Sequence, residues 1–224
     1  MIQETIRSIE QELGGAARLV AVSKYHPKEA IEEAYAAGQR IFGESHVQEL
    51  TAKHAVLPSD IEWHFIGHLQ TNKVKALVPF VALIHAVDSE RLLREIDKQA
   101  AKCQEGGRVV DVLLQLHVAQ EETKYGFTTE ECDALLQSGV WKELKHVRIV
   151  GLMCMASNVD DEKQIASEFA TAHKFFKQVK ETYFAVEESF RELSMGMSDD
   201  YPIALREGAT LVRVGSKIFG QRIY

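Results

Sequence analysis

Apolar residues along this chain fall into short continuous runs, and the runs alternate with stretches that are apolar only every third or fourth position. The first pattern reads as buried strand and the second as amphipathic helix. The strands are predicted at about Ala17 to Ser23, Arg40 to Gly43, Ile61 to Gly67, Ala82 to Asp88, Val109 to Val118, Val147 to Met153, Phe190 to Gly196 and Leu211 to Gly215. A first helix runs from Ile2 to Leu13 and stops at Gly14-Gly15. Further helices follow at Lys28 to Ala37, Val47 to about Val56, and Asn72 to Leu77. Ser89 caps one reaching Cys103, and Thr128 with Glu131 resembles a capping box opening the next. The longest spans Asp160 to about Phe184, with Ile165, Phe169, Ala172, Phe176 and Val179 at helical spacing. Asp199 to Glu207 completes the set, so each strand except the last has a clear helix after it.

Strand and helix alternating without a break imply parallel strands joined by crossovers. Eight such units are the number at which the sheet closes on itself. The expected fold is therefore a single α/β domain over residues 1–224, a (β/α)8 TIM-type barrel with an extra N-terminal helix. A doubly wound open sheet is the alternative. It lacks support because no Gly-x-Gly-x-x-Gly follows the first strand.

Composition narrows the classes without choosing among them. The chain has 224 residues, a formal net charge of −7 and ordinary hydrophobic content of 46%. An acidic balance argues against a nucleic-acid partner, which needs a basic face. No apolar run reaches membrane-spanning length, and the first residues lack a signal-peptide core. Cys103, Cys132 and Cys154 are odd in number and far apart, which suits reduced thiols and a cytoplasmic location.

Chemistry in such a barrel sits at the C-terminal ends of the strands. The first strand ends in Lys24, which is either a snorkelling lysine or an amine with a use. Ser194, Gly196 and Ser198 follow the seventh strand, and Gly215 and Ser216 follow the eighth. Two Gly/Ser turns at that place suit a phosphate. Strand alternation puts Arg213 on one face with Leu211, opposite Val212 and Val214. Its partner is either an acid, Glu44 or Asp88, or a planar ligand with an acceptor nitrogen. A lysine, a phosphate site and an inward arginine together suit pyridoxal 5′-phosphate (PLP), an aldehyde that forms a Schiff base with an amine. His64 and His68 lie four apart on a strand, where a metal-binding pair does not converge.

At this point the residues match a known family. The chain resembles the pyridoxal phosphate homeostasis proteins, single-domain barrels of PLP fold type III related to the N-terminal domain of alanine racemase. The resemblance rests on Ala21-Val-Ser-Lys24, Phe42-Gly-Glu-Ser-His-Val-Gln-Glu49, Trp63-His-Phe-Ile-Gly67, Leu69-Gln-Thr-Asn-Lys73, Gly151-Leu-Met153, Leu193-Ser-Met-Gly-Met-Ser-Asp-Asp200, Val212-Arg-Val-Gly-Ser216 and Ile218-Phe-Gly220. It implies that Lys24 carries the cofactor as a Schiff base. It implies that Ser194, Ser198, Gly215 and Ser216 surround the phosphate and that Arg213 faces the pyridine nitrogen. The chain departs from the family at Ser45, where asparagine is usual, and at His68, where proline is usual. Lys124 falls where relatives also carry a lysine and reads either as a second capture site or as a solvated side chain.

The resemblance also implies a protein without defined catalytic activity that manages intracellular cofactor supply, with PLP-dependent apoenzymes as acceptors. The chain ends just after its eighth strand, without the second domain that gives racemases of this fold their second base and dimer contacts, so a monomer is expected. The alternatives are a small PLP-dependent racemase with Tyr25, His64 or His68 as opposite-face base, or a sugar-phosphate aldolase using its own lysine.

Overall fold

A computed structural model describes residues 1–120 and 125–220. Its strands are β1 (Arg18–Val22), β2 (Ile41–Glu44), β3 (Glu62–Phe65), β4 (Leu83–Val87), β5 (Val110–Leu116), β6 (Val147–Cys154), β7 (Glu192–Ser194) and β8 (Leu211–Val214). Each pairs in parallel with the next, and β8 pairs in parallel with β1. The expected TIM-type barrel is therefore the observed fold.

The helices are α1 (Ile2–Leu13), α2 (Lys28–Ala36), α3 (Val47–His54), α4 (Val74–Leu77), α5 (Glu90–Ala100), α6 (Thr129–Gln137), α7 (Glu162–Tyr183), α8 (Tyr201–Arg206) and α9 (Ser216–Phe219). Their starts follow local chemistry. Ser89 accepts the Leu92 N–H, and Asp161 accepts those of Lys163 and Gln164. Thr128 and Glu131 form a complete capping box. α9, a single turn directly after β8, is not predicted from the sequence pattern. In α7 it is Phe175 that is fully buried, while Phe176 is half-buried and stacks on Phe190 at 5.1 Å.

Two apolar layers result. The outer one lies between strands and helices and contains Phe42, Trp63, Phe169 and Val212. The inner one fills the barrel with Val20, Ile41, Leu83, Leu113, Val150 and Leu211. Leu211 and Val212 thus fall on opposite faces, as the alternation predicts. The three cysteines are free thiols, and burial pushes Cys132 and Cys154 up to about 12. Among the described residues no helix is long and apolar enough to cross a membrane.

The β5–β6 ladder shifts register between Val112 and Leu113, opposite the Ile149 to Gly151 step of β6. Gly151 has φ +157°, and a Cβ there would collide with the carbonyl oxygen of Glu192 on β7. Glycine is what lets β6 and β7 approach at this irregularity. Gly151→Ala is expected to lower the unfolding free energy by about 2–4 kcal/mol. Denaturant titration tests this, and a loss below about 0.5 kcal/mol would mean the ladder yields easily.

Candidate functional site

Lys24 lies two residues beyond β1, half-buried, at the C-terminal mouth of the barrel. The backbone on both sides of it is braced from β2 and α3. Ser23 donates its hydroxyl to Glu44 Oε1 at 2.6 Å, and its carbonyl accepts from Lys53 Nζ at 2.8 Å. The Tyr25 N–H donates to Glu49 Oε1 at 2.6 Å. Lys53 joins these anchors, bonding Glu44 Oε1 and Glu49 Oε1 at 2.8 Å each. Tyr25 has φ 67°, a conformation that costs a non-glycine residue energy and persists only where surroundings impose it. Here Glu49 imposes it.

Glu44 is fully buried, and its Oε2 has no hydrogen-bond partner. Burial raises its pKa, against the opposing charge and hydrogen bond of Lys53. The acid is therefore taken up by α3 and is not the partner of Arg213. Asp88 is likewise engaged elsewhere, through Oδ2, 3.1 Å from His68 Nδ1.

Arg213 points into the barrel and is 4% exposed. Its Nη1 donates to Ser194 Oγ at 2.6 Å and its Nη2 to the Cys154 carbonyl at 2.9 Å. Among the described residues no carboxylate lies within ion-pair distance of it. Desolvation accordingly lowers its pKa, with the charges of Cys154 and Asp200 opposing. A buried guanidinium held by a hydroxyl and a carbonyl is a costly arrangement, with N–H donors left over for an acceptor.

The Gly/Ser turns lie beside Lys24 rather than across the mouth, because β8 is the hydrogen-bonded neighbour of β1. A Cβ at Gly215 would lie 3.0 Å from the Val22 carbonyl oxygen. Ser198 Oγ accepts the Gly215 N–H at 3.2 Å and ties the two turns together. Ser216 is exposed and begins α9, whose first amides have no acceptor within the helix. Gly196 has φ 89°, and a Cβ there would meet Ala204 at 2.6 Å, so its glycine is required by packing against α8.

Ser194 ends β7. It is fully buried, and its hydroxyl lies between Arg213 and His85, 2.9 Å from His85 Nδ1. That puts it beneath Arg213, inside the barrel, bonded to both side chains.

The sequence matches the family described as alanine racemase, N-terminal domain, over residues 1–223. It is 39% identical over 209 residues to the pyridoxal phosphate homeostasis protein of Aquifex aeolicus strain VF5, covering 93% of this chain and 88% of that one. It is 41% identical over 204 residues to the protein of that name from Helicobacter pylori strain 26695, covering 90% and 86%. The chain belongs to the pyridoxal phosphate homeostasis protein family. PipY of Synechococcus elongatus PCC7942, solved with PLP bound, superposes with a TM-score of 0.87 at 38% identity, covering 98% of this chain and 100% of that one. The same protein without PLP gives 0.90 at 39% identity, with the same coverage.

The family-like stretch from Phe42 to Glu49 now has a physical role, since Glu44 and Glu49 are the braces of the Lys24 turn. This bracing role is not assigned from the sequence pattern, where Glu44 reads as a possible partner of Arg213. The available signal was Glu49 and Lys53 at i,i+4, placed after a strand-end acid. Of the two departures, His68 sits on Asp88 and stacks on Tyr125 with centroids 4.0 Å apart. His64 faces away from it, toward His85 at 3.0 Å, so the two histidines do not converge. Lys124 lies outside the described residues.

Lys53→Met would leave the Glu44 carboxylate buried and unpaired, at an expected cost of about 3–5 kcal/mol near neutral pH. Without Lys53 the folded-state pKa of Glu44 rises further above its unfolded value. The folded state then holds the proton more tightly, so stability is greatest in acid and falls as pH rises through the raised pKa. The variant's loss relative to wild type is expected to be smaller at about pH 5 than at about pH 8. Unfolding curves at both pH values check this, and an equal or larger loss in acid would contradict it.

Proposed function

We propose that this chain is a PLP carrier that serves intracellular cofactor supply. The whole of residues 1–224 acts as one PLP-binding domain, and Lys24 is the covalent anchor. Relatives at about 40% identity bear the homeostasis name, and PipY has been solved with PLP bound. The observation on this chain that carries the reading is Arg213, a buried cation with no carboxylate partner among the described residues, at the mouth that also holds Lys24.

PLP supplies an aldehyde for an amine, a phosphate, and a ring nitrogen that accepts a hydrogen bond. The residues present fit each part. Lys24 offers the amine from a turn that Glu44, Glu49 and Lys53 hold in place. Arg213 offers N–H groups to the ring nitrogen. Gly196, Ser198, Gly215 and Ser216 form the phosphate end, which Ser198 closes through the Gly215 amide. Ser194 serves Arg213 in this assignment.

A carrier is favoured over an enzyme because the groups weighed as a second base are engaged elsewhere. His64 is held down to about 3 by burial and by the Arg18 charge, and lies inside the barrel. His68 is on Asp88, and the Tyr25 hydroxyl is 3.3 Å from His46 Nε2. We infer a cytoplasmic monomer that hands PLP to apoenzymes, with no nucleic-acid or membrane partner.

After incubation with PLP and borohydride, peptide mapping is expected to find the pyridoxyl group on Lys24, and Lys24→Ala is expected to lose the Schiff-base absorption band. Labelling confined to other lysines would refute the assignment. Arg213→Met is expected to weaken PLP binding at least about tenfold, or about 1.4 kcal/mol. The cofactor-free variant should be no less stable than wild type, because an apolar side chain replaces an unpaired buried charge. Equal affinity, or a variant that binds weakly only because it unfolds, would contradict this.

A further inference from the structure

The proposed PLP site gives no task to two of the barrel's buried polar side chains, His85 and His64, which are 0% and 2% exposed. They continue a line that begins at Arg213. Arg213 Nη1 lies 2.6 Å from Ser194 Oγ, which lies 2.9 Å from His85 Nδ1, and His85 Nε2 lies 3.0 Å from His64 Nδ1. The line runs down the inside of the barrel from β8 through β7 and β4 to β3. His64 then lines a cavity of about 380 Å³ at the opposite end, whose rim carries Arg18, Glu62, Asp111, Arg148 and Glu192.

The chemistry of the groups fixes the direction of every bond in this line. Arginine only donates, so Ser194 Oγ accepts from it. The Ser194 hydroxyl proton has no solvent and no other partner among the described residues, so it goes to His85 Nδ1. His85 must then carry its own proton on Nε2 and donate to His64 Nδ1. His64 in turn carries its proton on Nε2, the nitrogen left over at the cavity end. Burial keeps both imidazoles neutral, holding His64 down to about 3 and His85 well below its ordinary value. The positive charges of Arg18 and Arg213 act in the same direction.

We propose that Ser194, His85 and His64 form a one-way hydrogen-bonded row that fixes the guanidinium of Arg213 against the cofactor's ring nitrogen, His85 and His64 being positioning residues. The inference rests on the reading that the ring nitrogen meets Arg213. Every donor in the row points away from that arginine, toward the far end of the barrel. Arg213 has no lone pair to receive a proton from below. The row therefore cannot pass a proton to the ring, and the ring nitrogen remains an acceptor.

The first arm of the test uses the protein without cofactor. Isotope-edited NMR of the imidazole nitrogens is expected to show His64 and His85 as neutral Nε2–H tautomers. An Nδ1–H tautomer on His85 or His64, or a charged ring on either, overturns the row. The second arm adds isotope-labelled PLP and reads the ring-nitrogen chemical shift, the absorption band and the affinity. His85→Phe is expected to move the shift and the band and to weaken binding by about tenfold. His85→Gln, whose amide can accept from Ser194 and donate to His64, is expected to restore all three.

If His85→Phe matches wild type in shift and band, the positioning role is refuted. Should His85→Phe fail to fold, His64→Leu takes its place. It leaves the His85 N–H without an acceptor, and an unmoved ring-nitrogen shift then refutes the proposal. If wild-type protein takes up no PLP on Lys24, it is the function that fails, while the tautomers still decide whether the row exists.

Discussion

A charged guanidinium inside a closed barrel has to be held without being neutralised, and much of this structure follows from that constraint. A carboxylate beside Arg213 would satisfy it and also use up its donors. The chain instead surrounds it with a neutral hydroxyl and a main-chain carbonyl, from Ser194 and Cys154. Neutral acceptors fix the orientation of the group while leaving its charge available to a ligand. The two acids expected as its partners, Glu44 and Asp88, are turned to Lys53 and His68.

The two halves of the site are supported by separate networks on neighbouring strands. Beneath Arg213 the support is internal, a file of polar side chains through the apolar filling of the barrel. Around Lys24 it is external, an ionic cluster between the sheet and α3 that grips the backbone at Ser23 and Tyr25. The first network fixes the orientation of Arg213. The second fixes the backbone on both sides of Lys24. Because β1 and β8 are hydrogen-bonded to one another, the two supports meet at Val22 and Gly215.

The architecture was legible in the sequence because its periodicities are unambiguous. Eight apolar runs, each bounded by a turn signal, became eight strands within a few residues of their predicted limits. The inward face of Arg213 followed from alternation alone. The candidate site was legible as a set of residue types at strand ends. What remained hidden was pairing between distant strands. Nothing in the local pattern tells that Ser194 on β7 reaches His85 on β4, 109 positions earlier. Nor does it tell that β8 lies beside β1, which brings the Gly215–Ser216 turn next to Lys24. Glu44 and Glu49 stood in a quoted motif, yet their task as braces depends on a backbone conformation at Tyr25 that no propensity predicts.

The central claim is that Lys24 and Arg213 hold the two ends of one PLP ring. A crystal structure of this protein grown with PLP tests it directly. Density should run unbroken from Lys24 Nζ to the cofactor, with the ring nitrogen in hydrogen-bonding range of Arg213 and the phosphate against Ser198, Gly215 and Ser216. Density attached to another lysine, or a ring whose nitrogen faces away from Arg213, would contradict the account.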